Sequence, residues 1–294
     1  MPLSHHLAAL ALFGADVLVR AVRIRLLIPH SSLSLWRAIA INAYGEAASA
    51  VTPGRLGGDP ARFLGFRRAG VDTPRTLAGL GVELLIDWVL LGIATVVLGL
   101  VFADTAASGL RRLIALATGP RARLVVVSVL VLIVASAVAV RSYRRRSPSG
   151  VVLHQSVRTA WQYARLLGWR SLTVAAALTA VSMVARTAIL PVLVAGRPGI
   201  ALGAVILGSF ALLYGQLVLP TPAGAGGVEL GFVGGFAGAL SPGELATLLV
   251  VWRIYTLILG AALGALLFAR EAPAGWWARR RYKPNSSVNV RSQL

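Results

Sequence analysis

The stretch Thr52-Pro53-Gly54-Arg55-Leu56-Gly57-Gly58-Asp59-Pro60-Ala61-Arg62 separates two long apolar runs of the chain. Because proline and glycine interrupt helices, a regular membrane span cannot continue through it. The order Thr-Pro, Gly-Gly, acid returns later in Thr221-Pro222-Ala223-Gly224-Ala225-Gly226-Gly227-Val228-Glu229. Two such interruptions in corresponding places of an apolar protein indicate a transport site between two related halves.

The composition is that of an integral membrane protein. Hydrophobic residues make up 57% of the 294 residues and charged residues only 13%, with a mean hydropathy of +0.76. Soluble domains carry about 25% charged residues. Since one span needs ~20 apolar residues, we predict an all-α integral membrane protein of about seven or eight transmembrane or re-entrant helices, in two loosely similar halves with broken Pro/Gly helices.

The apolar runs predict how this single membrane domain, residues 1–294, is organised. We expect a first half at 7–140, a basic interfacial connector at 141–170, a second half at 171–269 and a basic polar tail at 270–294. The basic connector is expected inside the cell. If 223–240 crosses the membrane, which we favour, both termini are cytoplasmic. If that segment re-enters instead, the tail lies outside. The expected location is the cytoplasmic membrane.

The charge and the reactive residues restrict the partners. The formal net charge of +19 comes from arginines that crowd the loops, where they contact anionic lipid headgroups. No aromatic-basic motif for nucleic acid is present. We therefore expect membrane lipids as partners, no nucleic acid, and leave a homo-oligomer open. The chain has no cysteine and its four histidines lie in terminal or loop positions, so we predict no metal and no cofactor.

Charged residues beside the first interruption form the first candidate site. Arg55, Asp59 and Arg62 flank broken backbone, where free N–H groups and guanidinium groups can bind a phosphate. The alternative is an interfacial loop with ordinary lipid-contacting arginines. Four glycines would let the backbone approach a ligand closely and act as hinges: Gly57, Gly58, Gly226 and Gly227.

Charges inside the apolar runs form the second candidate site. Glu83 and Asp87 share one helix face at i, i+4 spacing. Each charge costs on the order of 2.5–3.5 kcal/mol at the bilayer centre. The alternatives for these two acids and for Glu229, Arg186 and Arg253 are a structural ion pair, such as Glu83 or Asp87 with Arg253, and a polar cavity that accepts a headgroup or relays a proton. We expect Asp16 and Glu46 to be cavity-lining or structural, and Arg20 and Arg23 to reach an interface.

Several segments together carry a family resemblance: Arg20 to Leu27, Pro53 to Arg62, Val82 to Asp87, Pro222 to Glu229 and Trp252-Arg253-Ile254-Tyr255. In this order they resemble the lysylphosphatidylglycerol synthase transmembrane family, a flippase-like domain, over about residues 7–269. No aminoacyl-transferase domain follows, so we expect a stand-alone member. The resemblance implies movement of a phosphate-containing lipid headgroup across the bilayer, aminoacylated, polyprenyl-linked or related.

The resemblance also implies roles for the candidate residues. Arg55, Arg62 and Arg253 would bind the lipid phosphate, beside Tyr255. The acids would orient these arginines or bind a cationic headgroup: Asp59, Glu83, Asp87 and Glu229. We therefore expect a transporter and not an enzyme. Two alternatives stay open, a membrane-embedded lipid-modifying enzyme and a non-transporting scaffold of an envelope-synthesis complex.

Overall fold

The computed structural model describes residues 1–28, 33–105, 107, 161–236 and 238–271, and they form an all-α membrane protein. The first half contains α1 (Leu3–Leu27), α2 (Leu35–Val51), α3 (Gly58–Arg68) and α4 (Thr73–Val101). The second contains α5 (Trp169–Val194), α6 (Leu202–Gly215), α7 (Gly227–Phe236), α8 (Pro242–Arg253), a π-helical turn (Ile254–Ile258) and α9 (Leu259–Glu271). Residues 108–140 of the predicted first half, most of the connector and most of the tail lie outside the described residues.

The first Pro-Gly segment turns the chain back on itself. Gly54 and Arg55 both take the left-handed conformation, with φ of 56° and 59°. The hydroxyl of Thr52 accepts a hydrogen bond at 2.8 Å from the N–H of Gly57, the residue before α3, and so closes the loop. The helix α3 then runs antiparallel along α2, with Gly58 against Ser49 and Gly65 against Ile41. We call α2–α3 the first hairpin.

The second Pro-Gly segment makes the same turn. Ala223 and Gly224 take the left-handed conformation, with φ of 50° and 70°. The helix α7 returns along α6, where Gly231 lies beside Leu212; α6–α7 is the second hairpin. The two loops meet, because Pro53 and Pro222 pair as an isolated antiparallel bridge.

The two halves are inverted copies of one helix arrangement. Pro222 lies 169 residues after Pro53, and α7 and α8 begin 169 residues after α3 and α4. The equivalent helices α1 and α5 pack antiparallel, since Arg23 contacts Thr179 while the earlier Asp16 contacts the later Arg186. One half is therefore turned over relative to the other, as in inverted-repeat transporters.

Helix lengths correct one prediction. Among the described residues, three segments are long and apolar enough to cross a membrane: Thr73–Val101, Trp169–Val194 and the continuous Pro242–Glu271. The helix α7 has 10 residues, about 15 Å at 1.5 Å per residue, and cannot cross about 30 Å of hydrocarbon. The described part of 223–240 therefore contains no helix long enough to cross, so the predicted crossing is not supported and the argument for placing both termini in the cytoplasm is lost.

Apolar packing holds the hairpins against the long helices. One cluster centres on Trp252, Phe232 and Leu248 in the second half. Another joins Ile24, Ile41 and Phe66 in the first half. Between these clusters the interior is polar, and this polar interior is the candidate site.

Candidate functional site

A cavity of about 240 Å³ lies between α1, the first hairpin, α4, α5 and the end of α6. Five arginines and four carboxylates line it: Arg20, Arg23, Arg55, Arg62, Arg186, Glu46, Asp59, Glu83 and Asp87. A fifth carboxylate, Asp16, is buried beside them and 1% exposed. Half of the ten acidic residues of the chain thus surround one cavity.

The first group of charges is centred on Glu46, which α2 projects into the cavity. Its carboxylate accepts hydrogen bonds from Arg55 at 2.5 Å, from Arg186 at 2.8 Å and from Arg20. Arg186 also bonds Asp16 at 2.7 Å. With three arginines and two acids, this Glu46 cluster carries a formal charge of +1.

The second group is centred on Glu83, in α4. Its buried carboxylate accepts hydrogen bonds from Arg23 and from Arg62. Arg23 also donates to Asp87 at 2.6 Å, and Arg62 lies 3.3 Å from Asp59. With two arginines and three acids, this Glu83 cluster carries a formal charge of −1. The two clusters together are neutral, which lowers the cost of placing so many charges inside a membrane protein.

Several polar atoms at the cavity remain unpaired. The Nε–H donors of Arg23 and Arg62 and the Oε1 acceptor of Gln216 are buried and lack a hydrogen-bond partner within the described residues. All three residues line the cavity. A buried donor without an acceptor costs about 1–3 kcal/mol. Both Nε atoms are fully buried, so an anionic ligand would satisfy them only after a shift of the two arginine side chains.

The walls of the cavity are apolar where α4 and α6 approach it. Leu84 and Trp88 of α4 line the cavity and are 48% and 56% exposed. Leu213 and Leu217 line it from the end of α6 and the loop beyond it. A charged interior with an apolar wall matches an amphiphile whose headgroup enters while its chains stay outside.

The second-half candidates form a separate group. Arg253 donates to Glu229 through Nε at 2.9 Å and to the carbonyl of Ala223 at 3.2 Å. Glu229 also accepts from the N–H of Gly226 at 2.7 Å, so this ion pair fastens the second Pro-Gly loop. Tyr255 contacts His6 at 3.2 Å. None of these residues lines the cavity.

The structure therefore divides the twelve predicted residues. It brings six of them to the cavity: Arg55, Gly58, Asp59, Arg62, Glu83 and Asp87. Gly57 caps α3 next to them, whereas Gly226, Gly227, Glu229, Arg253 and Tyr255 lie around the second loop. The suggested ion pair of Glu83 or Asp87 with Arg253 is wrong, because Arg23 and Arg62 are the partners of Glu83.

Sequence reasoning missed part of the cavity. Arg20 and Arg23 were expected at an interface but are held inside by Glu46, Glu83 and Asp87. Thr179 and Ser182 of α5 also line the cavity, beside Arg186, for which an ion pair or a polar cavity was expected. The available signal was the charge itself: Asp16, Arg20 and Arg23 fall on one side of an otherwise apolar helix.

A metal-dependent enzyme would need several carboxylates around one point. In the described residues no group of three His, Cys, Asp or Glu side chains could hold a metal ion. Glu83 and Asp87 instead share the guanidinium of Arg23. The carboxylates thus serve to hold arginines.

An inverted arrangement of helices with two Pro-Gly hairpins beside a charged cavity defines the class of the fold, an all-α membrane protein. Comparison with family models identifies the particular family. The model for the lysylphosphatidylglycerol synthase TM region matches residues 1–264, so the chain belongs to that family. Searches of curated proteins and of solved structures gave no match.

Proposed function

We propose that this protein moves a phosphate-bearing lipid headgroup across the cytoplasmic membrane through the cavity. The observation that carries the proposal is the cavity itself, with five arginines lining it and the apolar side chains of α4 at its wall. The family match supports a membrane protein of flippase-like type. A soluble anion would require no such apolar wall.

In this proposal the arginines of the cavity bind the phosphate. Arg23 and Arg62 line the cavity beside Glu83, and Arg55 lies at the edge of the Glu46 cluster on the left-handed turn. The carboxylates hold these arginines in place, so that phosphate oxygens exchange with carboxylate oxygens and no guanidinium loses all its partners. The sequence has no nucleotide-binding motif, so a gradient, a potential or mass action drives the movement.

The scaffold alternative expects the intramembrane charges to pair completely and to leave no cavity open to lipid. The charges pair, but unpaired Nε–H donors and a cavity remain. The enzyme alternative lacks a carboxylate group that could hold a metal among the described residues. Transport is therefore the function that the geometry supports best.

The test is translocation of fluorescent lipids in proteoliposomes, with wild type beside Arg55→Gly and Arg253→Gln. Arg55→Gly installs the residue that the second loop has at the equivalent position, Gly224, so the backbone keeps its left-handed turn. We expect at least a tenfold loss of rate, because a hydrogen bond to a charged group contributes about 1.5–3 kcal/mol and 1.4 kcal/mol is about a factor of ten.

Arg253→Gln is the matched control, a buried arginine outside the cavity, and should keep the rate within about twofold. Phosphatidylglycerol, aminoacyl-phosphatidylglycerol and a polyprenyl phosphate are compared with a ceramide that has no phosphate. Movement of the ceramide as fast as the phosphate lipids would contradict phosphate recognition. A folded wild type that moves none of these lipids would overturn the proposal.

A further inference from the structure

Two helix pairs hold equivalent places in the inverted halves. The first pair is α2 with α9, and its counterpart is α6 with α4. In an exact two-fold arrangement both pairs would pack alike. Instead, α9 lies closely along α2, whereas α4 and α6 are not closely packed in the part of the chain described. They approach at one end, where Phe102 meets Gly203, and the cavity lies between their other ends.

The close contact between α2 and α9 depends on two glycines. Gly260 and Gly264 form a G-x-x-x-G face on α9. A Cβ at Gly264 would collide with the carbonyl of Ala43, and one at Gly260 would touch Glu46 at 3.5 Å. Such faces let helices approach closely through backbone contact. We call this contact between α2 and α9 the glycine seam.

Glu46 connects the seam to the cavity. Its carboxylate lies among Arg20, Arg55 and Arg186, while its Cβ and Cγ rest against Gly260. Of the described helices, α9 alone therefore covers the Glu46 cluster on the side of α2 that carries the glycine seam. If α9 moved away from α2, the same cluster would face a second opening.

A backbone irregularity lies where such a movement would bend the helix. The segment from α8 to α9 contains the π-helical turn Ile254–Ile258, directly before Gly260. The equivalent part of α4 is regular α-helix. π-helical turns are rare, are frequent at functional sites and are recognised places of helix bending. The π-helical turn separates α9, which carries the two seam glycines, from α8, which packs in the apolar core around Trp252.

We propose that the glycine seam is a second lateral gate of the cavity, closed in this structure while the α4–α6 side is parted. Exchange of the two packings between the inverted halves opens α2–α9 and closes α4–α6. The headgroup bound in the cavity, between the Glu83 and Glu46 clusters, is thereby exposed in turn to the α4–α6 side and to the α2–α9 side. This inference rests on the proposed transport function and adds the moving contact.

The test uses the absence of cysteine from the chain. Tyr44 of α2 and Phe268 of α9 touch edge to face, with ring centroids 5.8 Å apart. The pair Tyr44→Cys and Phe268→Cys is joined by a short bis-thiosulfonate reagent that a reductant cleaves. We expect translocation to stop on cross-linking and to return on reduction. A monofunctional thiosulfonate on the same cysteines should leave the rate unchanged.

A second cysteine pair is the matched control. Leu27→Cys and Ala175→Cys lie in one buried cluster between α1 and α5, which stay packed in the proposed exchange. Cross-linking there should leave translocation within about twofold. If the cross-linked seam transports as fast as its reduced form, the gate is refuted while the transport function stands. Equal loss at both pairs would contradict movement confined to the seam.

A readout without transport separates the two proposals. Spin labels at Val51→Cys and Leu266→Cys report the distance between α2 and α9, and labels at Leu85→Cys on α4 and Val218→Cys just beyond α6 report the distance between the parted ends of α4 and α6. All four side chains are exposed. Lipid addition should lengthen the first distance and shorten the second. If these opposite shifts occur without any transport, they would support the gate and contradict the proposed lipid cargo. If the α2–α9 distance stays constant while the α4–α6 distance changes, the gate is refuted.

Discussion

The two hairpins have nearly the same backbone and opposite chemistry. Both turn at a Thr-Pro pair, both place two successive residues in the left-handed conformation, and both start the returning helix at a glycine. Yet every charged position of the first hairpin that faces the cavity is uncharged in the second. The equivalent pairs are Glu46 and Gly215, Arg55 and Gly224, Asp59 and Val228, and Arg62 and Gly231.

The comparison teaches that the helix break and the charged site are separable. The break needs only a residue that tolerates positive φ and a glycine for close return, and both hairpins supply these. The site needs room for a guanidinium. In the first hairpin Gly45 makes that room, since a Cβ there would lie 2.7 Å from Cγ and Cδ of Arg62. In the second hairpin the equivalent of Gly45 is Tyr214, and no arginine is opposite it.

Among the substitutions compared between the two halves, removal of Glu83 should lower the free energy of unfolding most. Glu83→Ala leaves Arg23 and Arg62 without their shared buried partner, so we expect the free energy of unfolding to fall by about 3–5 kcal/mol. Glu229→Ala, in the second half, removes a carboxylate that is 37% exposed and should cost about 1 kcal/mol or less. Equilibrium unfolding in mixed SDS micelles measures both. Equal losses would mean that the two halves bury their charges alike.

Filling the space beside Arg62 should have an intermediate effect. Gly45→Ala pushes a methyl group onto the arginine stem, and overpacking of this kind costs about 1–3 kcal/mol. Gly234→Ala in α7 meets nothing within 4 Å and should be neutral or stabilising by up to about 1 kcal/mol, because alanine is the better helix former. Thermal unfolding in detergent compares the two variants. A Gly45→Ala protein as stable as wild type would show that Arg62 can move aside freely.

The threonines that begin the two loops should show the smallest difference. Thr52→Ala removes the hydroxyl that accepts from Gly57 N–H at 2.8 Å, and loss of such a hydrogen bond costs about 0.5–1.5 kcal/mol. Thr221 instead donates to the carbonyl of Ala225 at an exposed position, so Thr221→Ala should cost about 0.5 kcal/mol or less. Matched denaturation curves test this order, and the reverse order would place the more strongly held turn in the second half.

The sequence by itself determined the class of protein and the position of its breaks. Apolar composition predicts membrane helices because unpaired backbone groups cannot exist in lipid, and Pro-Gly clusters stop helices wherever they stand. The Glu83 and Asp87 pair was predicted on one face, and both line the cavity. These features depend on a residue and its near neighbours in the chain, so one sequence is enough to find them.

Only the tertiary structure decided which charges meet. Periodicity places a side chain on a face of its own helix but does not say which helix covers that face. Arg23 finds Glu83 and Thr179 on two other helices far along the chain, whereas Arg253 finds Glu229 in its own half. The inverted packing of α1 on α5 brings the charges of both halves to one cavity and leaves Arg253 outside it. A buried charge is neutralised by whichever opposite charge the packing places beside it, and that packing belongs to the whole fold.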